Sequence, residues 1–313
     1  MTSPSRPAQS LSAKIVHPTT FVEAPHLAKR LGISLTLASE TFQHTGSFKF
    51  RAAYNVVSKV TQHKTITASS GNFGQALAYA CGLLSKSCIV VMPDTSAQVK
   101  IDAVREYGGI VDLVNVKEKS RARRVKELAH QHPDAYIASP YDDPLVIEGN
   151  ASLGLEIADR DKDFDYIVAP IGGGGLTSGI ITGVRTSGKS IKVIAAEPLL
   201  ANDAARSLRA GYIVANEDEP QTIADGARTL SVGRHNWAIL QGGLAGIVEV
   251  PEGNILRGVR LLFELANLKV EPTAALGIGA LLTAPERFQG RSVCCVISGG
   301  NVDSKVFQNL LAD

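Results

Sequence analysis

The sequence predicts an α/β protein with two open, mostly parallel, twisted sheets and flanking helices, in which a small domain is inserted into a larger one. Short β-rich runs alternate with helical patterns from about residue 30 onward, the order expected of parallel strands joined by crossover helices. Several runs are continuously apolar, as strands covered on both faces must be. The predicted strands lie at 34–38, 65–68, 88–92, 110–114, 135–138, 166–169, 192–196, 246–250 and 292–297.

Helical patterns separate these strands, for example at 73–84, 97–107 and 151–159. The segment 61–140 holds four of the strands with their helices, which is enough for a small α/β domain. We therefore predict a small domain at 61–140 and a larger domain formed by 1–60 together with 141–313.

The composition excludes several classes of protein. Hydrophobic residues make up 44% and charged residues 20% of the 313-residue chain, values typical of a soluble globular protein. The 32 basic and 30 acidic residues give a net charge of +2, so neither nucleic acid nor a membrane is expected as a partner. No run of roughly eighteen apolar residues is present, so no membrane-spanning segment is expected.

The N-terminus and the cysteines bear on location. Residues 1–10 are polar and lack the apolar region of a secretory signal. None of the four cysteines shows zinc-ligand spacing, and the adjacent Cys294 and Cys295 lie in an apolar run that predicts a buried strand. We expect a reducing, cytoplasmic location.

Loops that follow strands are the first candidates for a site, because open α/β sheets bind ligands at the carboxyl ends of their strands. In the loop 45–51, Ser47 is a candidate helix N-cap and Lys49 falls in the first turn of the following helix. The positive end of the helix dipole disfavours an ammonium there, which suits a lysine whose amine must be neutral or must react with a carbonyl. For this loop alone, an exposed surface lysine is the simpler alternative.

The loop 68–75 also joins a strand to a helix and contains Ser69, Ser70, Gly71 and Asn72. Hydroxyls, an amide and backbone N–H groups at a helix N-terminus can bind a carboxylate. Ser and Asn also cap helices when no ligand is involved, so capping stays an alternative.

Two further loops follow strands of the larger domain. The glycines 172–175 precede a helical pattern, and glycines let backbone N–H groups wrap an anion closely, which favours a phosphate site. After the last strand, Ser298 could share a hydrogen bond with a heterocycle nitrogen, and a plain turn explains this residue equally well.

These four loops, in this order, resemble those of the serine racemase and threonine/serine dehydratase group of fold-type-II pyridoxal-phosphate enzymes, over about residues 14–303. The resemblance implies a tryptophan-synthase-β-like fold and pyridoxal 5′-phosphate as the cofactor. Lys49 would carry the cofactor and move the Cα proton, the glycines 172–175 would cradle its phosphate, Asn72 would bind its 3-oxygen, and Ser298 would face its pyridine nitrogen.

The resemblance thus assigns two sets of contacts. The implied cofactor contacts are Lys49, Phe48, Asn72, Gly172, Gly173, Gly174, Gly175, Leu176 and Ser298. The implied substrate contacts are Ser69, Ser70, Gly71, Asn72 and Phe73, of which the first, third and fourth cradle the substrate carboxylate.

The implied reaction is the elimination of water from a small β-hydroxy amino acid, of the serine/threonine dehydratase type, which leaves an α-keto acid and ammonia. A neutral Ser298 opposite the pyridine nitrogen favours elimination over transamination. Two alternatives stay open: a serine racemase, in which Ser70 acts on the face opposite Lys49, and a dehydratase specific for 3-hydroxyaspartate or a bulkier β-hydroxy amino acid. A homodimer is expected from the resemblance.

A divalent-cation site is implied as well. Glu197, the carbonyl of Ala201 and Asp203 match the spacing of the ligands in the group that this chain resembles. Hard oxygen ligands suit Mg²⁺ or Ca²⁺, with waters completing the shell. A solvated acidic pair after a strand is the alternative.

The chain also departs from the pattern of the group. Phe73 stands where His is common, and 147–151 reads Ile-Glu-Gly-Asn-Ala where Ala-Gly-Gln-Gly-Thr is common. Both changes leave the preferred substrate side chain open. Because the sequence stops at Asp313, no regulatory domain and no feedback control by isoleucine are expected.

Two other classes of function fit the residues less well. A dinucleotide-binding site would use the glycine loop with Glu197 on the ribose, but the third glycine position falls on Thr177 or Ser178, and the Lys49 loop would have no role. A non-catalytic two-domain binder would leave the candidate carbonyl-reactive lysine unexplained. The colour of the protein separates these classes, because a lysine-bound cofactor is yellow and is bleached by borohydride.

Overall fold

Two sheets organise the protein, whose computed structural model describes residues 15–312. One sheet has six strands in the order β1-β2-β10-β7-β8-β9, and the other has four in the order β5-β4-β3-β6. All neighbouring strands are parallel except β1 and β2. The strands are β1 Thr20–Glu23, β2 Ser34–Ser39, β3 Lys64–Ala68, β4 Ser87–Pro93, β5 Ile110–Val114, β6 Tyr136–Ile137, β7 Tyr166–Pro170, β8 Lys192–Pro198, β9 Leu244–Val250 and β10 Ser292–Ile297.

Helices connect and cover these strands. The α-helices are α1 Pro25–Leu31, α2 Lys49–Lys59, α3 Asn72–Leu83, α4 Gln98–Glu106, α5 Arg121–Gln131, α6 Pro144–Ala158, α7 Gly175–Ser187, α8 Asp203–Ala210, α9 Arg234–Leu240, α10 Glu252–Ala266, α11 Leu276–Thr283, α12 Pro285–Phe288 and α13 Ser304–Leu311. Short 3₁₀ turns lie at His44–Gly46, Leu199–Ala201, Asp225–Ala227 and Pro272–Ala275. Among residues 15–312, no helix has both the length and the hydropathy needed to cross a bilayer.

The predicted α/β architecture is confirmed, and each of the nine predicted strands is present. The prediction missed β1, a four-residue antiparallel edge strand with no fully buried residue. It also began α6 seven residues late, because the signal for its start lies upstream. Asp143 caps this helix by accepting a hydrogen bond from the N–H of Leu145 at 2.8 Å, with Pro144 in the first turn.

Both faces of the larger sheet are buried, as the apolar runs predict. In β10, Val293, Cys295 and Ile297 pack into the core on one face, and Cys294 and Val296 pack into the core on the other. The two cysteines therefore lie in a buried strand, as expected. The strands of the smaller sheet all fall between residues 64 and 137, while the domain limits at 61 and 140 stay a prediction.

A buried ionic network fixes α2 against the larger sheet. Arg51 is 2% exposed; its Nε lies 2.7 Å from a carboxylate oxygen of Glu40, just after β2, and its Nη1 lies 2.7 Å from Glu156 on α6. The same guanidinium donates to the hydroxyl of Thr19 at 2.9 Å. Because all three groups hold one side chain of α2, the network sets the position of this helix.

We expect Arg51→Ala to lower the free energy of unfolding by about 3–5 kcal/mol, because it leaves the buried carboxylate of Glu40 without its partner. Lys59→Ala is the matched control on the same helix: Lys59 pairs with Glu148 at 2.5 Å, but both side chains are about half exposed, and such a pair contributes about 0–1 kcal/mol. Urea unfolding of both variants measures the difference. Equal losses would show that the buried network does not anchor α2.

Candidate active site

Three loops of the larger domain meet at one edge of the sheet, because β2, β10 and β7 are adjacent and parallel. The loop before Lys49 is hydrogen-bonded to the loop after β10. The N–H of Phe48 donates to the carbonyl of Ser298 at 3.0 Å, and the N–H of Gly300 donates to the carbonyl of Gly46 at 2.9 Å. The two loops therefore position each other.

Lys49 is the first residue of α2, and its amine is buried. The Nζ donates to the carbonyl of Pro140 at 2.7 Å and lies 5.0 Å and 5.8 Å from the ring centres of Phe48 and Phe73. Burial lowers the pKa of Lys49 to about 8, against the opposing charge of Glu271. The helix dipole is the cause that the sequence suggests for a neutral amine, whereas desolvation is the main cause in the structure.

The expected capping role of Ser47 is wrong. Its hydroxyl is fully buried and has no hydrogen-bond partner among the described residues. The residue that precedes α2 is Phe48, in helical conformation, so no side-chain cap forms there.

The loop after β3 brings Ser69, Ser70, Gly71 and Asn72 to the start of α3, on the smaller sheet. The Oγ of Ser69 accepts hydrogen bonds from the N–H of Gly74 at 3.2 Å and of Gly71 at 3.4 Å. Ser69 thus has the capping role that the sequence left open. The hydroxyl of Ser70 makes no hydrogen bond within the described part of the chain and is partly exposed, so it is available to a ligand.

Asn72 joins the two sheets through a residue that sequence reasoning missed. Its Nδ2 lies 2.9 Å and 3.0 Å from the two carboxylate oxygens of Glu271, and its Oδ1 accepts from Nδ2 of Asn301 at 2.8 Å. Burial, followed by the charge of Asp225, raises the pKa of Glu271 to about 7. The only sequence signal for this carboxylate is its place directly before Pro272.

Phe73, the departure from the common His, lies inside the core of the smaller domain. Its ring also borders the amine of Lys49. Its expected contact with substrate stays a prediction.

The tetraglycine loop follows β7 and opens α7. A Cβ on Gly173 would overlap the ring of Tyr141, one on Gly175 would lie 2.8 Å from the Tyr141 carbonyl, and Gly174 has φ +96°. Nδ2 of Asn236 donates to the carbonyl of Gly173 at 2.7 Å. Nδ2 of Asn150 likewise donates to the carbonyl of Gly175 at 3.0 Å. The N–H groups in the first turn of α7 have no partner within the helix, so they can bind an anion. The next residue, Leu176, is buried.

Ser298 lies at the carboxyl end of β10, 1% exposed. Its Oγ has no hydrogen-bond partner among the described residues. A buried hydroxyl left unsatisfied costs about 1–3 kcal/mol, so a polar group of a ligand is the expected partner.

Glu197 and Asp203 lie one strand further along, at the end of β8 and the start of α8. Both are 1% exposed. Glu197 accepts hydrogen bonds from the N–H groups of Ala204 and Ala205 at 2.8 Å each, while Oδ2 of Asp203 has no partner within residues 15–312. Burial raises the pKa of both carboxyls, of Asp203 to about 6.

The predicted cation ligands are thus brought together, with Ala201 in the turn between the two carboxylates. Within the described residues, however, no group of three or more His, Cys, Asp or Glu side chains could hold a metal ion. Any cation here would rely on two carboxylates, a carbonyl and water.

Comparisons with known proteins agree with this geometry. The family model described as "Pyridoxal-phosphate dependent enzyme" matches residues 13–299. The chain is 35% identical to the L-threo-3-hydroxyaspartate ammonia-lyase of Saccharomyces cerevisiae, covering 95% of this chain and 92% of the relative. It is 34% identical to the serine racemase of Dictyostelium discoideum, covering 95% and 94%. The crystal structure of a threonine deaminase from T.th. superposes with a TM-score of 0.88 at 37% identity, over 93% of this chain and 95% of that one.

The lowered pKa of Lys49 gives a pH-dependent stability. Between pH 8 and 10.5 the unfolded state binds more protons than the folded state, so stability rises with pH in that window and carries the full penalty below pH 8. Lys49→Met should therefore stabilise the cofactor-free protein at pH 7 by up to about 3 kcal/mol, and by less at pH 9.5. Urea unfolding at the two pH values measures this. Lys59→Met, at an exposed lysine, is the control, and a similar gain in both variants would contradict the assignment.

Proposed function

The chain belongs to the family of pyridoxal-phosphate-dependent enzymes, and we propose that it removes water and ammonia from a β-hydroxy amino acid, leaving an α-keto acid. The observation that carries the proposal is the buried amine of Lys49, which lies close to Phe48, Phe73 and the carbonyl of Pro140. Relatives named for 3-hydroxyaspartate ammonia-lyase and serine racemase support the same chemistry.

The residues present fit the cofactor. The buried hydroxyl of Ser298, which has no partner among the described residues, suits a ring nitrogen, and the successive glycines at the N-terminus of α7 suit a phosphate. Lys49 would hold the cofactor covalently, with Phe48, Asn72 and Leu176 beside it. When bound, pyridoxal phosphate supplies an electron sink for the pair left by the departing Cα proton.

The side chains of the chain itself would handle the protons. A pKa of about 8 leaves an appreciable neutral fraction of Lys49 near pH 7, so its amine can accept the Cα proton. The N-terminus of α3, with Ser69, Gly71 and Asn72, would bind the substrate carboxylate. A carboxylate fixed at that point keeps the Cα hydrogen within reach of Lys49.

One observation favours 3-hydroxyaspartate over the uncharged β-hydroxy amino acids. Arg121, at the start of α5, makes no ion pair with any described residue, and its charge reaches Tyr141 beside the glycine loop. Burial and the charges of Asp142 and Asp203 raise the pKa of Tyr141, and the charge of Arg121 opposes this rise. A guanidinium without an ion pair suits a second substrate carboxylate, and the name of the yeast relative supports this substrate.

We expect the purified protein to release keto acid and ammonia from at least one member of a panel of serine, threonine and 3-hydroxyaspartate enantiomers. Lys49→Ala should lower that rate by at least about 10²–10⁴-fold, the usual contribution of one acid–base group, whereas Lys59→Ala should retain it. Keto acid is measured in a coupled dehydrogenase assay. A fully active Lys49→Ala variant would refute the role of this lysine.

Racemisation is the second candidate chemistry, favoured by the free hydroxyl of Ser70. Removal of a proton by Lys49 and its return on the opposite face require a second group, so Ser70→Ala should lower racemisation and elimination from D-amino acids by about 10²–10⁴-fold. Elimination from L-amino acids should persist in substantial part. Turnover of L- and D-serine with Cα-deuterium exchange measures both. Equal losses on the two enantiomers would show that Ser70 only positions substrate.

We also propose that Glu197, the carbonyl of Ala201 and Asp203 bind Mg²⁺ or Ca²⁺. Support comes from two buried carboxylates that repel each other and from Oδ2 of Asp203, which has no hydrogen-bond partner within residues 15–312. The expected homodimer and cytoplasmic location stay predictions.

Chelation should lower the melting temperature, and Mg²⁺ or Ca²⁺ should restore it, because a ligand bound only by the native state stabilises that state. Asp203→Asn should remove the response to chelator and cation. Asp112→Asn, a change to a partly exposed acid on β5, should keep it. Thermal unfolding with and without chelator measures the effect, and an unchanged response in Asp203→Asn would place the cation elsewhere.

A further inference from the structure

The side-chain amide of Asn72 is the central link of a hydrogen-bonded chain that crosses between the two sheets. Nδ2 of Asn301 donates to the carbonyl of Thr45 at 2.7 Å and to Oδ1 of Asn72 at 2.8 Å. Nδ2 of Asn72 then donates to the carboxylate of Glu271 at 2.9 Å and 3.0 Å. Three of the four groups belong to the larger domain, and Asn72 alone belongs to the smaller sheet's helix α3.

The chemistry at the two ends of this chain sets its direction. A backbone carbonyl and an ionised carboxylate can only accept hydrogen bonds, whereas each amide has one accepting and one donating end. The carbonyl of Thr45 sets the direction even when Glu271 is protonated. Asn301 must therefore turn its NH₂ group toward Thr45 and Asn72. Asn72 must then turn its oxygen toward Asn301 and its NH₂ group toward Glu271. The opposite orientation would place oxygen against oxygen at both ends.

Glycines make room for both neighbours of Asn72. Gly46 has φ +72°, and a Cβ at that position would overlap Oδ1 of Asn301. A Cβ on Gly299 would lie 2.8 Å from Cβ of Ser47 and 3.2 Å from Oε1 of Glu271. A side chain at Gly46 would therefore displace Asn301, and one at Gly299 would crowd Ser47 and Glu271.

We propose that Asn301 and Glu271 are positioning residues that fix the orientation of the Asn72 amide, with its oxygen toward Asn301 and its NH₂ group on the side of Glu271. The inference rests on the proposed function, in which Asn72 donates to an oxygen of the bound cofactor. A reversed amide would present an oxygen to that acceptor instead. Neither residue needs to touch the reacting atoms.

The sharpest test replaces the donor of Asn301 by an acceptor of the same shape. In Asn301→Asp, Asn72 faces carboxylates on both sides, so its orientation is no longer set. We expect pyridoxal phosphate to bind at least about tenfold more weakly, because the hydrogen bond from Asn72 to a charged oxygen of the cofactor is lost. Asn301→Ala removes the donor without adding an acceptor and should weaken binding less. Asn309→Asp, an exposed change on α13, should leave binding unchanged.

A second pair of variants tests the other end of the chain independently. Gln at position 271 still offers an accepting oxygen, so Glu271→Gln should bind the cofactor within about threefold of the wild type. Glu271→Leu cannot accept and should weaken binding at least about tenfold. This pair decides the question where Asn301→Asp fails to fold.

Two readouts are needed: equilibrium dialysis of pyridoxal phosphate from the holoenzyme, and hydrogen exchange of residues 69–75 in the cofactor-free protein. We expect faster exchange in Asn301→Asp and Glu271→Leu only. If Asn301→Ala loses as much affinity as Asn301→Asp, or Glu271→Gln as much as Glu271→Leu, these residues merely fill space and the inference is overturned. Failure of the wild type itself to bind pyridoxal phosphate would instead overturn the proposed function.

Discussion

The parallel pairing of β2, β10 and β7 is the constraint on which the rest of the site depends. Parallel neighbours end at the same edge of a sheet, so the loops that follow them must share one space. Lys49, Ser298 and the tetraglycine loop meet there although they are far apart in the chain. Hydrogen bonds between the loops, such as that from Phe48 to Ser298, then fix their relative positions.

The groups brought together at this site lower the stability of the folded protein. The amine of Lys49 and the carboxyl of Glu271 are both buried, and burial shifts the pKa of each toward the neutral form. Nearby, Ser47 and Ser298 carry buried hydroxyls without partners among the described residues. The ionic network of Arg51 and the apolar core that α2 shares with α3 and the smaller sheet hold α2 in place despite these costs. A ligand that satisfies the unpaired groups would recover part of the lost free energy.

Besides the apolar packing of α2 on α3, two polar contacts link the helices of the smaller sheet to the larger domain. Asn72 contacts Glu271 and Asn301, and Lys100 on α4 pairs with Asp225 at 3.2 Å. The Lys100 pair is partly exposed, so it contributes little. The partly buried amide of Asn72 is therefore the main polar contact between the start of α3 and the catalytic edge of the larger sheet. A movement of the smaller domain relative to the larger sheet must therefore break the hydrogen bonds of Asn72 or move Glu271 and Asn301 with it.

Sequence patterns alone determined the α/β class, nine of the ten strands and the four strand-end loops, because apolar runs and glycines act locally. They also pointed to Lys49, Asn72 and Ser298. Only the tertiary structure revealed the role of Glu271, the capping role of Ser69 and the buried hydroxyl of Ser47, which has no partner in the described part of the chain. The partners of Glu271 lie in distant parts of the chain, and the roles of Ser47 and Ser69 depend on local backbone angles. No pattern along the chain encodes the desolvation that lowers the pKa of Lys49. Burial and hydrogen-bond direction depend on which residues become neighbours in the folded protein, so only the tertiary structure determines them.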